Sequence, residues 1–312
     1  MDLNRIDKSL KRSIENSPRS LELDLDTLRF HPEIIQQERE DFIKNNPYPK
    51  PSNINTRDIY FNSSVDQQPI RIHVYQANDF ISTKVILYFH GGGYIFGLPE
   101  QVDEHMYKLA NDLKATIVSV DYRLSPKYPF PTPVLDGFDA LKWLINQGKK
   151  TLEVKPDEII IYGGSAGAHL AASVTQMAID NDIHNIKQQV LLYPVIHNKM
   201  NTDSMNEFVD APLWNKEYAE IAWKHFLGEN SNQFMRYADL TCYDNFKALP
   251  KTTIIACELD PLRDEGIEYA SKLYQAGVST ELWVIPGAVH VFDLFETSMS
   301  KEFYEYLIRK LN

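Results

Sequence analysis

Cysteine is scarce. Cys242 and Cys257 are the only two in 312 residues, too few for a disulfide framework, so two reduced thiols are expected. Long apolar runs are missing as well. No stretch approaches the roughly 18 apolar residues that a membrane helix needs, so stable membrane insertion is not expected. The opening MDLNRIDKSLKRSIEN has neither an apolar h-region nor a small-residue cleavage site, which makes a cytoplasmic location the default expectation. Positive charge is in the minority, with 32 Lys and Arg against 43 Asp and Glu and a formal net charge of -11. Phosphate backbones bind clustered cations, so nucleic acid is not an expected partner. No HExxH or comparable spacing points to a metal, and neither G-x-G-x-x-G nor Gly-Lys-Ser/Thr is found at the glycine loop, so no cofactor is expected.

What remains is the composition of an ordinary globular chain, 43% hydrophobic and 24% charged, long enough for one α/β domain with insertions. The rhythm is regular. IRIHVY (70–75) alternates as a half-exposed strand does. KVILYFH (84–90), ATIVSVDY (115–122) and EIIIYGG (158–164) are continuous β-rich runs, the pattern of strands buried on both faces. Three more strands are expected near 188–194, 252–258 and 280–286. Helical spacing falls between them at 102–113 and 136–146, and a last helix is expected over 292–311. Strands alternating with helices predict a mostly parallel central sheet flanked by helices.

Two stretches stand outside this rhythm. Residues 1–50 read as a polar, helical N-terminal arm, closed by the helix-breaking NPYPKPSN at 46–53. Residues 198–245 lack a buried strand but hold one helix at 215–228, and an insertion of that size is expected to serve as a lid. The expected division is therefore arm 1–50, core 51–197, cap insertion 198–245, and core 246–312.

Chemistry concentrates in four places. Gly163-Gly164-Ser165-Ala166-Gly167 follows a strand and opens a helix, the setting of a G-x-S-x-G nucleophile elbow. Such a Ser165 hydroxyl would stand exposed beside a helix N-terminus. His90-Gly91-Gly92-Gly93-Tyr94 ends another buried strand, and its glycines leave backbone N–H groups open to an oxyanion. A serine hydroxyl needs a neutral imidazole to take its proton. His290, after the last strand, is the histidine whose position in the chain fits. The acid is less determined: Asp260, Asp264 and Glu265 all lie within six residues, with Asp260 favoured because it leaves a strand end. Tyr94, Tyr193 and Trp214 are the expected substrate-contacting side chains.

HGGGY at 90–94, DYRLSPKYPFP at 121–131, GGSAG at 163–167, DPLRDEG at 260–266 and the His290 loop together resemble the markers of the hormone-sensitive-lipase-like, or family IV, esterases. The resemblance implies an α/β-hydrolase fold with a helical cap built from arm and insertion. It implies Ser165, Asp260 and His290 as the triad, and the amides of Gly92, Gly93 and Ala166 as oxyanion donors. It implies a small-molecule ester as substrate, with short acyl chains, and leaves a homodimer open. Two positions depart from the pattern: Gly164 stands where Asp is usual, and Val291 where Gly is usual. A non-catalytic small-molecule receptor and an amidase or peptidase are the alternatives on the same fold.

Overall fold

A computed structural model describes residues 1–17, 23–78, 84–154, 156, 158–229 and 234–312. Residues 18–22 of the expected arm and 230–233 of the expected insertion lie outside these. Eight strands form one sheet: β1 (Ile54–Asn62), β2 (Pro69–Ala77), β3 (Lys84–Phe89), β4 (Ala115–Asp121), β5 (Ile159–Gly164), β6 (Ile186–Leu192), β7 (Lys251–Cys257) and β8 (Thr280–Ile285). Their order is β1-β2-β4-β3-β5-β6-β7-β8. The pairs β1–β2 and β2–β4 are antiparallel, and every other pair is parallel.

Side-chain pattern explains this arrangement. The inner strands β3 to β7 bury nearly every residue, as the continuous runs of Val, Ile, Leu and Tyr require. β1 alternates, with only Ile54 buried. It was not anticipated, because its charged INTRDIYFN is diluted by the exposed face of an edge strand.

The described helices are α1 (Lys8–Glu15), α2 (Leu25–Phe30), α3 (Pro32–Asn45), α4 (Asp103–Leu113), α5 (Thr132–Thr151), α6 (Ala166–Asp180), α7 (Asp203–Glu207), α8 (Lys216–Leu227), α9 (Arg263–Gln275) and α10 (Ser298–Leu311). Buried residues of α5, α6 and α9 join a core on one face of the sheet. Those of α4 and α10 join a second core on the other face. The N-terminal helices divide. Leu10 of α1 belongs to the second core, whereas α2 packs against α8.

The last helix starts later than its apolar spacing suggests. Val291 has a left-handed φ of 55°, one 3-10 turn covers Phe292–Leu294, and Thr297 then caps α10 through a reciprocal capping box with Ser300. Residues 291–297 are thereby released as loop.

Register fixes where the motifs meet. Phe89 at the end of β3 pairs with Gly163 of β5, and Gly164 pairs with Leu192 of β6. Cys257 of β7 pairs with Ile285 of β8. The loops carrying Gly92, Ser165, Asp260 and His290 therefore leave the same carboxyl edge of the sheet. The chain reverses direction there, since β4 and β5 lie on opposite sides of β3, and such a switch point opens a crevice.

Candidate active site

Ser165 sits between β5 and α6 with φ 57° and ψ -123°, a strained backbone for a residue with a side chain. The turn closes because its flanks carry no Cβ. A Cβ on Gly163 would lie 2.3 Å from the Gly167 carbonyl oxygen, and one on Gly167 would lie 2.1 Å from that of Phe89. Ala166 is the first residue of α6, so its N–H belongs to the helix turn that has no intrahelical acceptor.

His290 Nε2 lies 2.9 Å from Ser165 Oγ, and His290 Nδ1 lies 2.7 Å from Asp260 Oδ2. Asp260 is fully buried, and its Oδ1 accepts the Leu262 N–H at 2.9 Å, which fixes the carboxylate plane. The two neighbouring acids are engaged elsewhere. Asp264 accepts from the Ser204 N–H at 2.7 Å and pairs with Arg263. Glu265 Oε2 accepts the N–H groups of Ile196 and His197 at 2.8 and 3.2 Å. Burial pushes the Glu265 carboxyl up to about 8.

The glycine loop passes directly over the elbow. A Cβ on Gly91 would be 3.4 Å from that of Ser165. Gly92 has φ 127° and Gly93 φ 58°, values that side chains resist. His90 anchors the loop from beneath. Its ring stacks on Tyr122 at 4.2 Å, its Nδ1 lies 2.8 Å from the Gly91 oxygen, and burial lowers its pKa to about 4.

A cavity of about 620 Å³ opens above Ser165, lined by His290, Gly91, Gly92 and Gly93 below and by Ile35, Phe42 and Ile43 of α3 above. Tyr193 and Trp214 line it, with their rings 4.7 and 5.9 Å from that of His290. Tyr94 does not. Its ring is buried against Phe226 at 3.9 Å, away from the cavity. The positive φ of 66° that the tight loop imposes turns Tyr94 into the core instead. Tyr88, Tyr162, Leu213 and Asp293 line the cavity too. Apolar spacing puts Asp293 inside the expected last helix, so the sequence does not mark it as a lining residue. Elsewhere, ligand atoms of Asp58, His73 and Glu100 lie within 4.8 Å of one another. Arg71 lies 3.4 Å from Asp58 and 2.5 Å from Glu100, so the trio is an ion-pair network around a guanidinium.

Residues 86–294 match the family described as alpha/beta hydrolase fold. An arylesterase of Saccharolobus solfataricus is 31% identical over 242 residues, 76% of each chain. An ethyl acetate hydrolase of Pseudomonas putida is 31% identical over 227 residues, 72% of this chain and 71% of its own. This chain belongs to the hormone-sensitive-lipase-like esterases of the α/β-hydrolase family. Like those relatives it is a carboxylic ester hydrolase. Among solved structures a bacterial heroin esterase superimposes with a TM-score of 0.90 at 29% identity, covering 100% of this chain and 98% of that one. An esterase of the archaeon Pyrobaculum calidifontis superimposes at 0.82 with 29% identity, covering 97% and 95%. Among the described residues, no helix is long and apolar enough to cross a membrane.

Proposed function

We propose that this esterase works through a Ser165 acyl-enzyme, with His290 as general base and acid and Asp260 as the group that orients it. The observation that carries the reading is the 2.9 Å contact between His290 Nε2 and Ser165 Oγ, backed by Asp260 on the opposite ring nitrogen. Oγ attacks the ester carbonyl as its proton passes to Nε2. In this reading the amides of Gly92, Gly93 and Ala166 donate hydrogen bonds to the resulting oxyanion. The buried Asp260 carboxylate offsets the imidazolium charge. Nε2 then protonates the departing alkoxide, and water, losing a proton to the same nitrogen, releases the acid.

The substrates we assign are small esters with short acyl chains. The acid and alcohol parts share one cavity of about 620 Å³, and rings of Tyr88, Tyr162 and Tyr193 bound it near the elbow. In this reading the cap is α2, α3 and the described part of the insertion, with α2–α3 and Trp214 roofing the cavity, whereas α1 of the expected arm belongs to the second core instead. Hydrolysis of p-nitrophenyl butyrate by wild type and by Ser165→Ala tests the proposal. Loss of at least a thousandfold in kcat is expected, and a folded variant that keeps its rate would refute it.

A further inference from the structure

The cavity has two unlike ends. Under α3 it carries the apolar side chains of Ile35, Phe42 and Ile43 together with the charged Glu38 and Arg39. Its lining also holds three tyrosine rings, the Asp293 carboxylate and His105, whose Nε2 lies 3.3 Å from Tyr162 Oη. Tyr193 Oη donates to Asp293 Oδ1 at 2.8 Å, and the Tyr88 and Tyr162 rings lie 5.0 Å apart. Asp293 and the three tyrosines all line the cavity, and the Asp293 charge opposes ionisation of the phenols. Gly164 contributes to this recess by what it lacks, because a Cβ there would already touch the Tyr193 ring at 3.4 Å.

Charge at this end is unbalanced. Asp293 has no Lys or Arg within ion-pair distance among the described residues. Burial raises its pKa, and the charge of His290 works in the opposite direction. Among the described residues lining the cavity, Arg39 is the one Lys or Arg, and its guanidinium lies over the Phe96 ring at 5.2 Å. Asp24, Glu38 and Asp293 are the acids. A desolvated carboxylate favours any cation that can reach it, and electron-rich ring faces attract the same group. Carboxylate and aromatic rings around one small space are the chemistry that recognises an alkylammonium.

Resting on the esterase reading above, we propose that Asp293, with the rings of Tyr88, Tyr162 and Tyr193, forms a cation subsite that selects esters bearing an alkylammonium group. The group enters on either the alcohol or the acid part, and matched substrates separate the two. Butyrylcholine is compared with its uncharged isostere carrying carbon in place of nitrogen. The ethyl ester of dimethylaminobutyric acid is compared with the analogue carrying CH in place of the protonated nitrogen.

The readout is the ratio of kcat/KM within each pair, in wild type and in Asp293→Asn, so that any loss common to both esters cancels. A ratio of about tenfold or more for one pair is expected in wild type, falling close to one in Asp293→Asn. Ratios near one for both pairs in wild type, or a ratio unchanged in Asp293→Asn, would overturn the subsite. Should Asp293→Asn fail to fold, the wild-type ratios decide by themselves: a ratio of about tenfold for one pair supports the subsite, and ratios near one for both contradict it. Calorimetric binding of butyrylcholine to Ser165→Ala needs no turnover. Binding that exceeds that of the neutral isostere supports the cation site even if the esterase mechanism proves wrong, and equal binding of the two sinks it.

Discussion

The tip of the Trp214 indole stands where a side chain on Gly93 would begin: a Cβ built on Gly93 lies 2.8 Å from Trp214 Cη2. The same indole ring lies 5.9 Å from that of His290, so one side chain packs on both the glycine loop and the imidazole. Gly93→Ala forces a collision and a side chain at φ 58°. Displacing the loop by a few tenths of an ångström moves the amides proposed as oxyanion donors. The expected loss is about a hundred- to a thousandfold in kcat/KM on p-nitrophenyl butyrate, read together with a thermal melt. A variant with wild-type rate would remove Gly93 from the oxyanion site.

Much of this geometry was legible in the chain, because strand–turn–helix motifs carry their own placement. HGGG after one buried strand and GGSAG after another lie at the same sheet edge once β3 and β5 pair in register. The continuous apolar runs marked the inner strands. What could not be read depended on tertiary contacts. The choice among Asp260, Asp264 and Glu265 turns on which carboxylate faces His290, and spacing within one loop carries no such direction. Tyr94 followed the glycines in sequence, yet the loop's backbone turned it into the core. Asp293 was obscured by assigning residues 292–297 to a helix that a left-handed Val291 and the Thr297 cap exclude.

Asp260 and Glu265 are both buried carboxyls near the site, and they should separate kinetically. Asp260→Asn removes the charge facing Nδ1 and is expected to cost roughly a thousand- to ten-thousandfold in kcat. Glu265→Gln keeps an acceptor for the Ile196 and His197 amides and should change kcat far less. A larger loss in Glu265→Gln than in Asp260→Asn would reverse the assignment of the orienting acid.

Glu265 makes a separate prediction for stability. Its folded pKa, about 8, lies above the ordinary value of 4.5. Between these values the folded chain holds a proton that the unfolded chain releases, so its contribution is fully present below about pH 4.5 and is lost as pH rises through 8. The loss is at most about 1.4 kcal/mol per pH unit. Denaturant unfolding of wild type and Glu265→Gln from pH 5 to about 9 checks the sign. The variant should gain on wild type as pH rises, and parallel curves would show that Glu265 is already ionised at low pH.

Acyl length should be set by the roof of the cavity. In a series of p-nitrophenyl esters, acetate and butyrate should be turned over faster than dodecanoate. Phe42 of α3 lines that roof, so Phe42→Ala should raise kcat/KM for the longer esters relative to butyrate. A dodecanoate optimum in wild type would contradict the short-acyl reading.

The nucleophile itself is tested most directly by covalent capture. A fluorophosphonate probe, followed by peptide mass mapping, should add one phosphonyl group to Ser165 in wild type. The adduct should form far more slowly in His290→Ala, which loses the imidazole 2.9 Å from Oγ. A label carried by any other residue, or rapid labelling of Ser165 without His290, would contradict the account.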